Sequence, residues 1–143
     1  MREIKFRGRT LQGNWVYGLL SRTDEHGWTI SNKAGKPFAY KIRPETIGQY
    51  TGLKAKNGVE IYEGDIVKMP ADLWIGKESV GKAKGTFRSD VFVEYVGGSF
   101  RLNKPGDDSD NYYGVINYST NSKAAVLEVI GNIYENPTLL ESN

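Results

Sequence analysis

The sequence predicts a mainly β chain with minor helix, folded as a single domain over residues 1–143. Three observations carry that expectation. Apolar and polar residues alternate at period two in several short runs, the pattern of half-buried strands. The chain holds 17 Gly, which punctuate those runs at turn positions. The stretch Ile47 to Lys68, IGQYTGLKAKNGVEIYEGDIVK, sets strand, glycine turn, strand, acidic turn and strand in close succession. Strand, acidic-glycine turn, strand is how small SH3-like barrels begin, so the expected core is such a barrel with hairpin extensions. Residues 1–46 are read as an N-terminal β-hairpin region and residues 47–143 as the barrel-like region.

Taken in order, Ile4 and Phe6 alternate with Lys5 and Arg7, which predicts a first strand. Leu11-Gln12-Gly13-Asn14 is a turn, and Trp15-Val16-Tyr17 returns as a second strand that Gly18 to Leu20 continues or bends. His26-Gly27 turns the chain into a third strand, Trp28-Thr29-Ile30. Lys33 to Pro37 is a flexible link, and Phe38 and Tyr40 begin another strand. Pro44-Glu45-Thr46 fits a single helical turn, with Pro early, where its missing N–H costs nothing.

In the Ile47 to Lys68 stretch, Thr51-Gly52 is expected to interrupt the strand that Ile47 and Tyr50 begin. Asn57-Gly58 is a strong hairpin signal, because tight turns need positive φ. Val59 and Ile61 then share one strand face while Glu60 points the other way. Glu63-Gly64-Asp65 reverses the chain before Ile66-Val67. The expected role of its carboxylates is turn chemistry, in which short acidic side chains accept backbone N–H bonds.

Met69-Pro70 is expected to end that strand, and residues 70–90 form a long arm whose apolar cluster is Leu73, Trp74 and Ile75. Val91 to Val96 is the clearest strand, and Gly97-Gly98 turns it into a strand carrying Phe100 and Leu102. Asp108-Ser109-Asp110 resembles the opening of a calcium loop, but the match then fails. Tyr112 replaces the third ligand, Gly is not at the sixth position, and no Glu follows at the twelfth. Tyr112 to Tyr118 is another strand-like run. Ala124 to Tyr134 reads as a strand that closes the barrel, because Gly131-Asn132 would interrupt a helix. Pro137 to Glu141 starts a short helix whose Leu139 and Leu140 seek a groove on this chain or on a neighbour.

Composition narrows function by exclusion. With no Cys, disulfides, thiolate nucleophiles and cysteine zinc sites are ruled out. His26 is the only histidine and lies in a polar turn, which argues against a Ser-His-Asp triad or a multi-His metal site. There is no phosphate-binding glycine loop, no G-x-G-x-x-G and no nucleophile elbow. The expectation is therefore no catalytic residue, no metal and no cofactor. No apolar run spans a membrane and the opening MREIKFRG is charged, so cytoplasmic residence is expected.

Charge is uneven. Residues 1–68 carry 12 Lys/Arg against 7 Asp/Glu, and residues 69–143 carry 7 against 10. Lys5, Arg7, Arg9, Lys54 and Lys56 lie in the positive half and are the candidate nucleic-acid contacts; the charges on the first strand also suit protection of a sheet edge.

Three blocks carry a family resemblance: MREIKFRG with its following NWVYG, the central PETIGQYTGLKAKNGVEIYEGDIVK, and the closing EVIGNIYENPTLLE. In that order they resemble the YopX family of small proteins carried by phages and prophages of Gram-positive bacteria. The resemblance implies a phage or prophage origin, a β-rich fold with some helix, and self-association. No activity and no site residue come with it.

Two functions of different class follow. The first is a non-enzymatic accessory protein that acts by protein–protein contact with a host or phage protein and self-associates, with Trp74, Leu139 and Leu140 as contact residues. The alternative is a small-barrel nucleic-acid binder that uses the five cations above. A metal-dependent hydrolase built on Glu60, Glu63 and Asp65 ranks below both.

Overall fold

The computed structural model describes residues 3–32, 39–70, 87–103, 115–116 and 127–141. The expected arm is therefore outside the described residues, except for its two ends. The chain divides into two compact units, Met1–Tyr50 and Thr51–Asn143. The described strands make antiparallel sheets, as the alternating pattern predicts, and none of these sheets closes into a barrel.

The first unit contains β1 (Phe6–Arg9), β2 (Trp15–Thr23), β3 (Gly27–Ser31), β4 (Tyr40–Lys41) and the start of β5 (Gly48–Lys54). Their order across the sheet is β4-β3-β2-β1-β5. β2 is the strand that extends the unit, because it changes partner halfway. Its residues Trp15 to Gly18 pair with β1, from Arg9↔Trp15 to Phe6↔Gly18. Its residues Leu19 to Thr23 pair with β3, from Leu19↔Ser31 to Thr23↔Gly27.

Gly18 stands at that changeover with φ 153°. A Cβ here would run into the backbone of Ser31, 2.9 Å from its carbonyl carbon, so only glycine lets β3 come this close. Among the described residues of this unit, Ile30 and Ile42 are the buried aliphatic ones. Gly8 makes room for Ile42, whose Cδ1 would lie 2.8 Å from a Cβ at position 8. Pro44–Thr46 forms the expected single turn, of 3-10 type.

In the second unit β5 continues to Lys54 and pairs with β6 (Glu60–Tyr62). β5 runs through Thr51-Gly52 instead of breaking there. The Thr51 hydroxyl supplies the reason: it donates to the Ile61 carbonyl at 2.9 Å and accepts the Leu53 N–H at 3.2 Å, bridging the residue where Gly52 takes φ 86°. Asn57-Gly58 does turn the chain, inside a short 3-10 turn at Lys56–Gly58, with φ 65° and 77°.

The five-stranded sheet has the order β10-β9-β8-β7-β11, from β7 (Asp65–Pro70), β8 (Phe87–Val96), β9 (Ser99–Asn103), β10 (Val115–Ile116) and β11 (Glu128–Asn132). β7 therefore reaches Pro70, beyond the stop expected at Met69-Pro70. β11 lies at one end of this order against β7, from Glu128↔Lys68 to Asn132↔Asp65, and closes no barrel. Leu53, Ile61, Val67, Met69, Val91, Val93, Phe100, Leu102 and Leu127 form one buried cluster in this unit.

In the acidic turn between β6 and β7, Asp65 has the role expected of it. Asp65 is only 2 % exposed, and its carboxylate accepts the Tyr62 N–H at 2.7 Å. The Gly64 N–H donates to Val93 of β8 at 2.8 Å, and the Gly64 carbonyl accepts from Ile133 at 2.9 Å, which fastens the turn on two sides. Asp65→Ala removes a charged acceptor from a buried backbone donor and is expected to cost about 2 kcal/mol, with Asp65→Asn milder because its amide oxygen still accepts. Thermal melts of the two variants by circular dichroism would check that ordering.

Candidate functional site

Period-two geometry puts Lys5, Arg7 and Arg9 on one face of the first strand. Residues directly opposite on neighbouring strands share that face, so Arg9 meets Trp15 and Arg7 meets Tyr17 on β2. On the other side Arg7 faces Gly48 of β5, and Tyr50 follows two residues later on the same face. The result is a row of three cations set between aromatic rings. Arg7 Cζ lies 4.6 Å and Arg9 Cζ 5.9 Å from the Trp15 ring centroid, and Lys5 Nζ lies 5.1 Å from that of Tyr50. Such stacks are worth about 0.5–1 kcal/mol when exposed and about 2 when desolvated, so Arg7, only 6 % exposed, forms the strongest of them.

These cations are already at work within their own unit. Arg9 donates from Nε and Nη2 to the Gly13 carbonyl, each at 3.3 Å, and its backbone N–H donates to Thr46 Oγ1 at 2.9 Å. Lys5 Nζ lies 3.7 Å from Glu3. The first-strand candidates are thus brought together, and the structure gives each a local packing role: Arg7 and Arg9 clamp Trp15, and Lys5 caps Tyr50. Lys54 and Lys56 belong to the second unit and are exposed. The Lys56 backbone N–H donates to Leu127 at 2.8 Å.

Of the expected partner contacts, Trp74 lies outside the described residues. Leu139 and Leu140 are half-buried in the 3-10 turn Pro137–Glu141, which lies against β8 of its own unit. Glu60 and Asp65 are engaged locally: Tyr62 Oη donates to Glu60 Oε1 at 3.0 Å, and Asp65 holds the turn described above. Among the described residues no group of three or more His, Asp or Glu is placed to hold a metal ion. No helix among them is long and apolar enough to cross a membrane.

Sequence reasoning passed over a different feature. Tyr17 and Leu19, at alternate positions of β2 beyond Trp15, are 43 % and 45 % exposed. The signal was present in the run WVYGLL, which is apolar at both odd and even positions and so cannot bury every residue on one sheet face.

The fold and these side chains can be set beside known proteins. A family model described as YopX protein matches residues 6–141, nearly the whole chain. The chain belongs to the YopX family. That match takes in the central and closing blocks whole and the first from Phe6 onward, and it extends across the region between them. The crystal structure of protein EF1440 from Enterococcus faecalis is similar in fold to this YopX chain. Its TM-score is 0.52 at 24% sequence identity, covering 98% of this chain and 99% of that one. No curated protein matches this YopX chain.

Proposed function

We propose that this YopX chain is a phage-type accessory protein of the bacterial cytoplasm that acts by protein–protein contact, without catalysis, and self-associates. The observation that supports this most is the exposed pair Tyr17 and Leu19 beside Trp15 on one strand face. Large apolar side chains grouped on a sheet face favour contact with another protein, and Tyr is among the residues that anchor interfaces best. The β1 cations support the same reading from the other side, because their stacking and hydrogen bonds hold Trp15 and Tyr50 in place.

Sedimentation velocity across the micromolar range tests the proposal. The wild-type chain is expected to sediment as a defined oligomer, and a Tyr17→Ser/Leu19→Ser variant with an unchanged circular dichroism spectrum as a smaller species. Trp74→Ala, Leu139→Ala and Leu140→Ala are companion variants for the contact residues expected from the sequence. A wild-type monomer at every concentration would end the self-association reading.

Nucleic-acid binding is the second reading, favoured by the exposed Lys54 and Lys56 and by a β1 row in which cations and rings interleave. Fluorescence anisotropy of labelled single- and double-stranded DNA and RNA separates the two. Phosphate-driven binding weakens steeply with salt because counterions are released. Under the main reading, no binding survives at near-physiological salt. Binding that persists there, and falls in a Lys54→Ala/Lys56→Ala variant, would replace the main reading.

A further inference from the structure

Asn57-Gly58 is the only Asn-Gly pair in the chain, and it carries a chemistry that the proposed function does not use. In such a pair the backbone nitrogen of the glycine can attack the side-chain carbonyl carbon of the asparagine. The new C–N bond closes a five-membered imide while the Cγ–Nδ2 bond breaks and ammonia leaves with the amide proton. Water then adds to either imide carbonyl and opens the ring, which leaves aspartate or isoaspartate at position 57 and one more negative charge. Glycine makes this easiest, because no side chain crowds the attacking nitrogen.

Two opposing facts are built into this turn. Asn57 is exposed, and a Cβ placed on Gly58 would meet nothing within 4 Å, so water and base reach the pair freely. Yet the attacking group is held out of reaction. The Gly58 N–H donates to the Ala55 carbonyl at 3.1 Å, and Asn57 is fixed at φ 65°, ψ 21°. Ring closure requires that this N–H be released and that ψ rotate far from 21°. The turn is in turn pinned by Ala55 N–H to Val59 at 2.6 Å and by Lys56 N–H to Leu127 at 2.8 Å, and Leu127 is buried in the core cluster at the entry to β11.

We propose that Asn57 is a modification site, converted to aspartate and isoaspartate through the imide, and that conversion proceeds only when the Ala55–Val59 turn opens away from Leu127. The site is a chemical record of local opening where the turn meets β11. Local opening free energies range from near zero to the global stability, and the reaction rate scales with the open population.

The experiment is a timed incubation of the full chain at mildly alkaline pH, in buffer and in denaturing urea. Tryptic mapping then reads the peptide Asn57 to Lys68, in which Asn57 is the only asparagine. The peptide's amide-to-acid mass gain is expected to accumulate at least about tenfold more slowly in buffer than in urea, and to disappear in Asn57→Gln. Leu127→Ala, or wild type in low urea below its unfolding transition, is expected to fall between the two rates. Equal rates in buffer and in denaturing urea would overturn the proposal. An unaccelerated rate in both the folded Leu127→Ala variant and sub-denaturing urea would overturn the link to opening.

Discussion

Replacing Phe100 with Ala is expected to remove about 3–5 kcal/mol of stability, the usual cost of emptying a large aromatic site in a packed core. Phe100 is 2 % exposed, among the largest buried side chains, and its ring lies 4.8 Å from that of Tyr95 at a tilt of 59°. The cost has two parts: the transfer of an aromatic ring out of the core, and a cavity whose walls belong to hydrogen-bonded strands that cannot close in freely. Since β9 pairs with β8 along its whole length, from Phe92↔Asn103 to Val96↔Ser99, relaxation at position 100 would strain that ladder. Phe100→Leu keeps most of the volume and should cost under about 1.5 kcal/mol. Guanidinium denaturation of the three proteins would read the order, and a Phe100→Ala loss no greater than that of Phe100→Leu would refute this account of the core.

The second large effect lies in the other unit. Gly18→Ala is expected to cost about 2–5 kcal/mol, combining the overpacking of a closed site with an unfavourable backbone conformation. The obstacle is backbone: the added methyl would meet the Ser31 carbonyl, and no rotamer change moves it away. The comparison that isolates packing from conformation is Gly27→Ala. Gly27 also has positive φ, 69°, but a Cβ there meets nothing within 4 Å, so its penalty is the left-handed one alone, about 1–2 kcal/mol. Urea titration followed by the fluorescence of Trp15 and Trp28 would show the difference. Equal midpoints for the two variants would mean that β3 yields where we hold it to be rigid.

Much of this architecture could be read locally. Period-two runs locate β1, β2, β3 and β9 to within a few residues, and the role expected of Asp65 before Ile66 is the one it has, because a short carboxylate beside a glycine acts on its own backbone. What was not legible depends on partners distant in sequence. Gly52 looks like a break until the hydroxyl of Thr51 is seen bonding to Ile61, ten residues later. The closing strand expected of Ala124 to Tyr134 exists in part, as β11, but its register with β7 joins residues far apart in the chain, and nothing near either strand specifies that the sheet ends there. The cations of β1 illustrate the same limit for the site. Lys5, Arg7 and Arg9 read as one basic face, and only the cross-strand register shows that aromatic rings occupy the space beside them. Tyr17 and Leu19 were hidden for the opposite reason: an apolar strand residue is assumed to be buried until its face is known.

The pairing of β7 has a consequence for how the chain is made. β7 is central in its sheet, bonded to β8 on one side and to β11 on the other. Its residues Asp65 to Lys68 leave the ribosome well before Glu128 to Asn132 exist, so throughout that interval one edge of an apolar strand must wait without its final partner. An open edge of this kind is a template for pairing with other nascent chains. The bulge in the β7–β11 register, between Val129 and Gly131, gives the late strand a shape that a straight foreign strand does not match. A premature stop before Leu127 would leave that edge permanently open, and the truncated product should be recovered in inclusion bodies while the full chain stays in the soluble fraction.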